Sequence, residues 1–172
     1  MAGSTSAPPD DVSRPVERAL ASIAEQVEAI DAIVDRARSR LRVFDVDLSQ
    51  GGWHTADRAE RLVAFLRRAH GPRVDVIVHD TRWLAQSCPR LITVLRLYGH
   101  AITVYRTGSE ARNAMDPLVI GDDRHFLHRF HVDGPRAALA FDSPIAARPL
   151  VARFEEIWAT GEPGLSGTVL GL

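Results

Sequence analysis

Asp116–Asp133, DPLVIGDDRHFLHRFHVD, reads as strand, tight turn, strand. Leu118, Val119 and Ile120 form a short apolar run. Gly121-Asp122-Asp123-Arg124 supplies turn chemistry, because Gly and Asp tolerate the backbone angles that a reversal needs. The returning segment, His125 to His131, carries three of the chain's seven histidines.

Before this hairpin the chain alternates helical and strand patterns. Val16, Leu20, Ile23, Val27, Ile30, Val34, Ala37 and Leu41 recur at steps of three and four, which predicts one long helix over 15–40, capped by Ser13. LRVFDVDL, 41–48, switches to period two and predicts a strand with Phe44, Val46 and Leu48 on one face. Thr55 caps a second helix reaching about His70, where Gly71-Pro72 stops it. Val74–Val78 is a second buried strand. A helical turn over 81–88, a helix opened by Pro89 and a strand over 100–105 follow. Strands separated by helices with short connections imply a parallel sheet. After the hairpin come a turn at 133–136, a strand over 137–141 and a last helix with Ile145, Leu150, Val151, Phe154, Ile157 and Trp158 inward.

The expected fold is therefore α/β. It is a three-layer α/β/α sandwich whose mixed sheet combines parallel strand-helix-strand units with a C-terminal antiparallel hairpin. The expected organisation is a disordered N-terminal tail over 1–11, one domain over 12–161, and a C-terminal tail over 162–172 whose apolar residues dock on the body or on a partner.

Net charge is −1, so no global field recruits nucleic acid or an anionic membrane. Every basic residue is Arg, which removes the amine nucleophiles and bases that Lys would supply. Cys88 stands alone, so there is no disulfide framework and no cysteine metal site. The first residues lack a basic start and an apolar core, and no apolar run approaches a membrane span; the expected location is cytoplasmic. No cofactor and no metal are expected.

The order of these segments resembles one half of the phospholipase D superfamily over about 15–161. The carriers are the helix leading into LRVFDVDL, the step VDVIVHD then LYGHAITVYR, the strand VIGDD, and the closing FDSPIAARPLVARFEEIW. It is more similar still to an uncharacterised phospholipase D-like domain family, sometimes found beside acetyltransferase domains. The superfamily's motif is His-x-Lys-x4-Asp, in which His attacks phosphorus and Lys steadies the phosphate. With the motif's Asp set on Asp123, Asp116 takes the His position and Leu118 the Lys position. Set on Asp122, these become Met115 and Pro117. Neither register holds the nucleophile or the cation. The resemblance thus implies a non-catalytic module for binding or oligomerisation. Because the superfamily builds one site from two halves, it also implies a homodimer or a pairing with another domain, with an acetyltransferase as one possible partner.

Three groups of residues are candidates for chemistry. His125, His128 and His131 with Asp122 and Asp123 are suitable metal ligands by type. On a strand, however, His125 and His131 point one way and His128 the other, so they do not converge. His128 or His131 could instead replace the lost nucleophile in a divergent phosphodiester hydrolase or nuclease, with Arg106, Arg112 or Arg129 as its cation. The third group is the rim at the C-terminal ends of the parallel strands, where open α/β sheets bind ligands: Asp45, Asp47, Ser49, His79, Asp80, Arg82, Arg106 and Thr107. The residues expected to line a ligand site are Asp47, His79, Asp80, Arg106, Asp122, Asp123 and Arg129. RTGSEARN, 106–113, lacks the spacing of a phosphate loop and reads as a connector.

Overall fold

The computed structural model describes residues 17–165. The tail expected at 1–11, the cap expected at Ser13 and residues 166–172 lie outside them.

The elements run β1 (Arg18–Leu20), α1 (Ile23–Arg36), β2 (Arg40–Asp45), α2 (Ala56–Leu66), β3 (Arg73–Val78), α3 (Arg82–Ser87), α4 (Pro89–Leu97), β4 (Ile102–Arg106), β5 (Leu118–Gly121), β6 (His125–Arg129), β7 (Ala137–Ala140), α5 (Pro144–Trp158) and β8 (Glu162–Leu165). The strands form one sheet in the order β1-β7-β6-β5-β2-β3-β4-β8. β2, β3 and β4 are mutually parallel, while β5, β6 and β7 return antiparallel. This is the expected mixed sheet, and helices cover both of its faces.

Period-two patterning divides the core. Leu41, Val43, Val74, Val76, Val78, Ile102, Val104, Val119 and Leu127 face α1, α2 and α4. Phe44, Ile77, Leu118, Ile120 and Phe126 face Ala147, Phe154 and Ile157 of α5. Alternate residues of each central strand thus feed two separate apolar layers, because a strand's side chains alternate across the sheet.

Several boundaries differ from the periodic pattern. The first helix begins at Ile23, not near Pro15. Ser22 forms a capping box with Glu25, and Arg18–Leu20 pairs with β7 as an edge strand. Leu20 is buried, but from a strand. β2 ends at Asp45, whose Oδ1 accepts the Val46 N–H at 2.6 Å. Leu48 then adopts φ 70° and packs with the α1 and α2 layer, opposite to Phe44. The second helix stops at Leu66, ahead of the left-handed His70 and Gly71. Glu162–Leu165 pairs with β4 through Arg106↔Glu162 and Val104↔Leu165.

Candidate functional site

β5 opposes β2 with Leu118 beside Phe44 and Gly121 beside Leu41. That register fixes which residues share an end of the sheet. Asp116, which precedes β5, and His128, the partner of Leu118 on β6, belong to the end where β2, β3 and β4 finish. Asp45, Asp47, His79, Asp80 and Arg106 are at that end as well. Asp122 and Asp123 are at the other end, so the seven expected site residues do not converge on one place.

The centre of the first end is a carboxylate held from two sides. Asp116 Oδ1 accepts from Arg153 Nη2 at 2.6 Å, and Oδ2 accepts from Arg153 Nε at 3.0 Å. His128 Nε2 lies 3.2 Å from the same Oδ2, so that nitrogen carries the proton. Partial burial pushes the Asp116 carboxyl up, but the hydrogen bonds from His128 and Arg153 outweigh it and hold the group far below the usual carboxylate range. β6 directs His128 and α5 directs Arg153 toward the same face, with Phe130 edge-on to the imidazole at 5.6 Å. A carboxylate, an imidazole and a guanidinium are thereby brought together, but each is already engaged by the others.

His79 directly follows β3 and is buried. Its Nε2 lies 2.6 Å from the Ala114 carbonyl oxygen, so it must donate there, and its Nδ1 lies 2.6 Å from Thr107 Oγ1. Both ring nitrogens serve the 106–115 connector, one through its backbone and one through the Thr107 hydroxyl. Phe44 packs edge-on against the ring at 5.4 Å.

On the opposite face of the same end, Asp45 lines a recess with Gln26, Gln50, Gly51, Trp53, Leu127 and Arg129. Burial pushes the Asp45 carboxyl up to about 6, against the Val46 N–H, while neighbouring Asp47 adds to the rise. Arg129 is buried and fully employed. Its Nε donates to the Gly134 carbonyl at 2.7 Å, its Nη1 to Gln50 Oε1 at 2.5 Å, and its Nη2 to the Val132 carbonyl. It ties the β6–β7 turn to the β2–α2 loop.

The outer rim is also internally paired. Asp80 binds the Arg82 side chain and backbone N–H, which draw its carboxyl down to about 2. Arg106 faces Glu162 of β8 at 3.4 Å. Asp47 accepts the Ser49 N–H at 2.9 Å. His131 accepts the Asp133 N–H at 3.1 Å within an exposed turn beyond the end of β6.

At the far end, Asp122 accepts the backbone N–H groups of Arg38, Ser39 and Arg40 at 2.7, 2.9 and 3.0 Å. It organises the α1–β2 connection. Asp123 pairs with buried Arg42, which also donates to Glu155 of α5 at 3.0 Å. His125 accepts the Asp142 N–H at 3.0 Å through Nδ1, and burial lowers its pKa. Among the described residues no group of three His, Cys, Asp or Glu is placed to hold a metal ion, and no helix is long and apolar enough to cross a membrane.

Sequence reading did not find Arg153 or the bridging role of Asp116. Arg153 lies at the margin of the buried stripe of α5 and is half-exposed, so nothing in the local sequence pattern requires it to have a partner.

A family model described as "Domain of unknown function (DUF7931)" matches residues 22–166. No curated protein matches the sequence. Among solved structures, the chain is similar to Nuc from Salmonella typhimurium, a phospholipase D family member, at TM-score 0.63 and 15% identity, covering 89% of this chain and 100% of that one. TrmBL2, an archaeal chromatin protein with a novel mode of DNA binding, aligns at TM-score 0.64 and 10% identity, over 91% of this chain and 56% of that one. NucT from Helicobacter pylori aligns at TM-score 0.59 and 15% identity, over 88% and 100%. The shared fold is phospholipase D-like.

Proposed function

The chain belongs to the DUF7931 family, and from that membership and its phospholipase D-like fold we propose that it is a non-catalytic module that binds a ligand or partner. One observation carries the reading. With the resembled motif's Asp set on Asp123, the attacking His falls on Asp116, immobilised by the Arg153 fork and His128, and the Lys falls on the fully buried Leu118. With it set on Asp122, the two positions fall on Met115 and Pro117. A nucleophile must be free to attack and a phosphate-binding cation free to pair. Here the cation is spent on the acid and the acid cannot serve as a displaced imidazole would.

The competing reading, a divergent phosphodiester hydrolase, has one observation in its favour: the Asp116–His128 contact at 3.2 Å could orient an imidazole. A single assay separates the two. The protein is incubated with bis(p-nitrophenyl) phosphate and, because TrmBL2 is described as DNA-binding, with single- and double-stranded DNA, with and without Mg²⁺, Mn²⁺ or Zn²⁺. The expected result is no turnover above the blank, with His128→Ala indistinguishable from the parent. Turnover that disappears in His128→Ala and persists in His131→Ala would establish the hydrolase instead.

A further inference from the structure

Asp45 ends β2 on the face of the sheet that carries α1 and α2. From β2 the chain steps through β3 and β4 in one direction, then returns to place β5 on the other side of β2. The strand end beside such a reversal is where open α/β sheets hold their ligands. Asp45 makes no ion pair among the described residues, whereas Asp31, Asp75 and Asp116 each hold an arginine. Arg129 acts on Asp45 through its charge, yet its N–H groups go to the Gly134 and Val132 carbonyls and to Gln50 Oε1. The fold thus sets a poorly solvated carboxylate beside a guanidinium whose donors are turned elsewhere. An acid left without a cation is costly to bury, and such groups gather at binding sites.

We propose that the recess at Asp45 binds the primary ammonium group of a small-molecule amine. The recess has about 20 Å³, room for one water-sized group. An ammonium is of that size and brings three N–H donors. Three acceptors line the recess. They are the Asp45 carboxylate, the side-chain carbonyl of Gln26, whose amide nitrogen is anchored on the Pro135 carbonyl, and Gln50 Oε1, which keeps a lone pair beyond the one given to Arg129. Trp53 and Leu127 wall the recess with apolar surface, which strengthens a charge-assisted hydrogen bond inside it. The carboxylates of Asp45 and Asp47 against the single charge of Arg129 leave one net negative charge, which one ammonium neutralises. A guanidinium is too large for the space, and a divalent metal takes more oxygen ligands than one carboxylate and two amides supply. The chain has no Lys, so none of its own side chains carries this group. The inference gives a ligand to the binding module proposed above and rests on that reading, but it uses the face of the sheet opposite to Asp116, His128 and Arg153.

The test is a titration of the full chain with methylammonium chloride at constant ionic strength, read from the NMR shifts of the Val46 backbone amide and the Gln26 side-chain amide. At pH 7.5 both signals should move and saturate below ~100 mM. Tetramethylammonium, with the same charge but no N–H donor and a larger radius, should leave them in place. Asp45→Asn keeps an acceptor for the Val46 N–H and should weaken binding by ~10-fold or more; its melting curve confirms that it folds. The parent supplies a second measurement. Asp45 must be ionised to pair, and burial raises its carboxyl to about 6, so affinity should fall ~10-fold between pH 7.5 and pH 5. Arg129 is the other ionisable residue lining the recess, and Asp47 acts on Asp45 from the loop that follows β2. No saturation by ~100 mM overturns the proposal. So does an equal response to tetramethylammonium, an affinity unchanged in Asp45→Asn, or one unchanged at pH 5. Any of these removes the amine and leaves the non-catalytic reading intact, whereas phosphodiester turnover removes that reading without touching the recess.

Discussion

Replacing Asp45 by asparagine tests the residue whose titration the fold alters most usefully. Its carboxyl is raised to about 6 in the folded chain, against about 3.9 unfolded. A raised acid binds its proton more tightly when folded. Its contribution is therefore present below about pH 3.9 and lost as pH rises through about 6. Above that, a poorly solvated carboxylate burdens the fold. Asp45→Asn keeps an acceptor for the Val46 N–H and should stabilise the protein by about 1–2 kcal/mol at pH 7.5 with no gain near pH 4, read from urea midpoints. An equal effect at both pH values would rule out titration as the cause. His125 behaves with the opposite sign. Burial lowers its pKa, so its contribution is present above about pH 6.5 and lost as pH falls below that. His125→Asn retains an acceptor for the Asp142 N–H and should flatten the loss of stability between pH 7 and 5. The sequence marks both residues as candidates, but only the fold shows that burial shifts their titration. In the sequence, Asp45 is one acid of a strand, and nothing local distinguishes it from Asp47.

At the scale of elements, α1 is held at its start by Ser22 and Glu25 and along its length by close contact with β5. Ser22→Ala removes the side-chain half of the capping box and should cost about 1 kcal/mol of stability in chemical denaturation. The contact with β5 depends on Gly121. A Cβ there would lie 3.0 Å from Ile33 Cγ2 and 3.2 Å from Ala37 Cβ. Gly121→Ala should therefore cost about 1–3 kcal/mol through overpacking, seen as a lower melting temperature. Periodicity found α1, α2, α4 and α5 and most strands because each buries one stripe. It misplaced the start of α1 because Leu20 fits the helical stripe equally well. Pairing with β7, a partner about 120 residues away in the chain, is what makes that segment a strand. Strand parity separates His125 and His128: His128 faces α5 with Asp116, while His125 lies on the α1 side near Phe141 and Arg36; His131 lies beyond the end of β6.

Across the whole molecule, the sheet separates two apolar layers and grades from a doubly covered centre to short edges. β2 and β3 are buried on both faces, whereas β1 and β8 have three and four residues and one sheet neighbour each. Amide hydrogen exchange should thus be slowest in β2, β3 and β5 and fastest in β1 and β8, since local opening follows burial and ladder hydrogen bonds. Protection of β8 equal to that of β3 would contradict this grading. Alternation of apolar residues, turn chemistry and segment order suffice to specify the mixed α/β sandwich, because these depend on neighbours within a few positions. They also reveal that neither register of the hairpin supplies a His-x-Lys pair. Which charges neutralise one another is different. Asp116 meets Arg153 across 37 positions and Arg42 meets Glu155 across 113. Such partners are chosen by strand register and helix docking, which bring distant side chains within the few ångströms over which hydrogen bonds and ion pairs act. Hence Asp122 and Asp123, adjacent to the histidines in sequence, lie at the opposite end of the sheet from the cluster that the tertiary structure assembles.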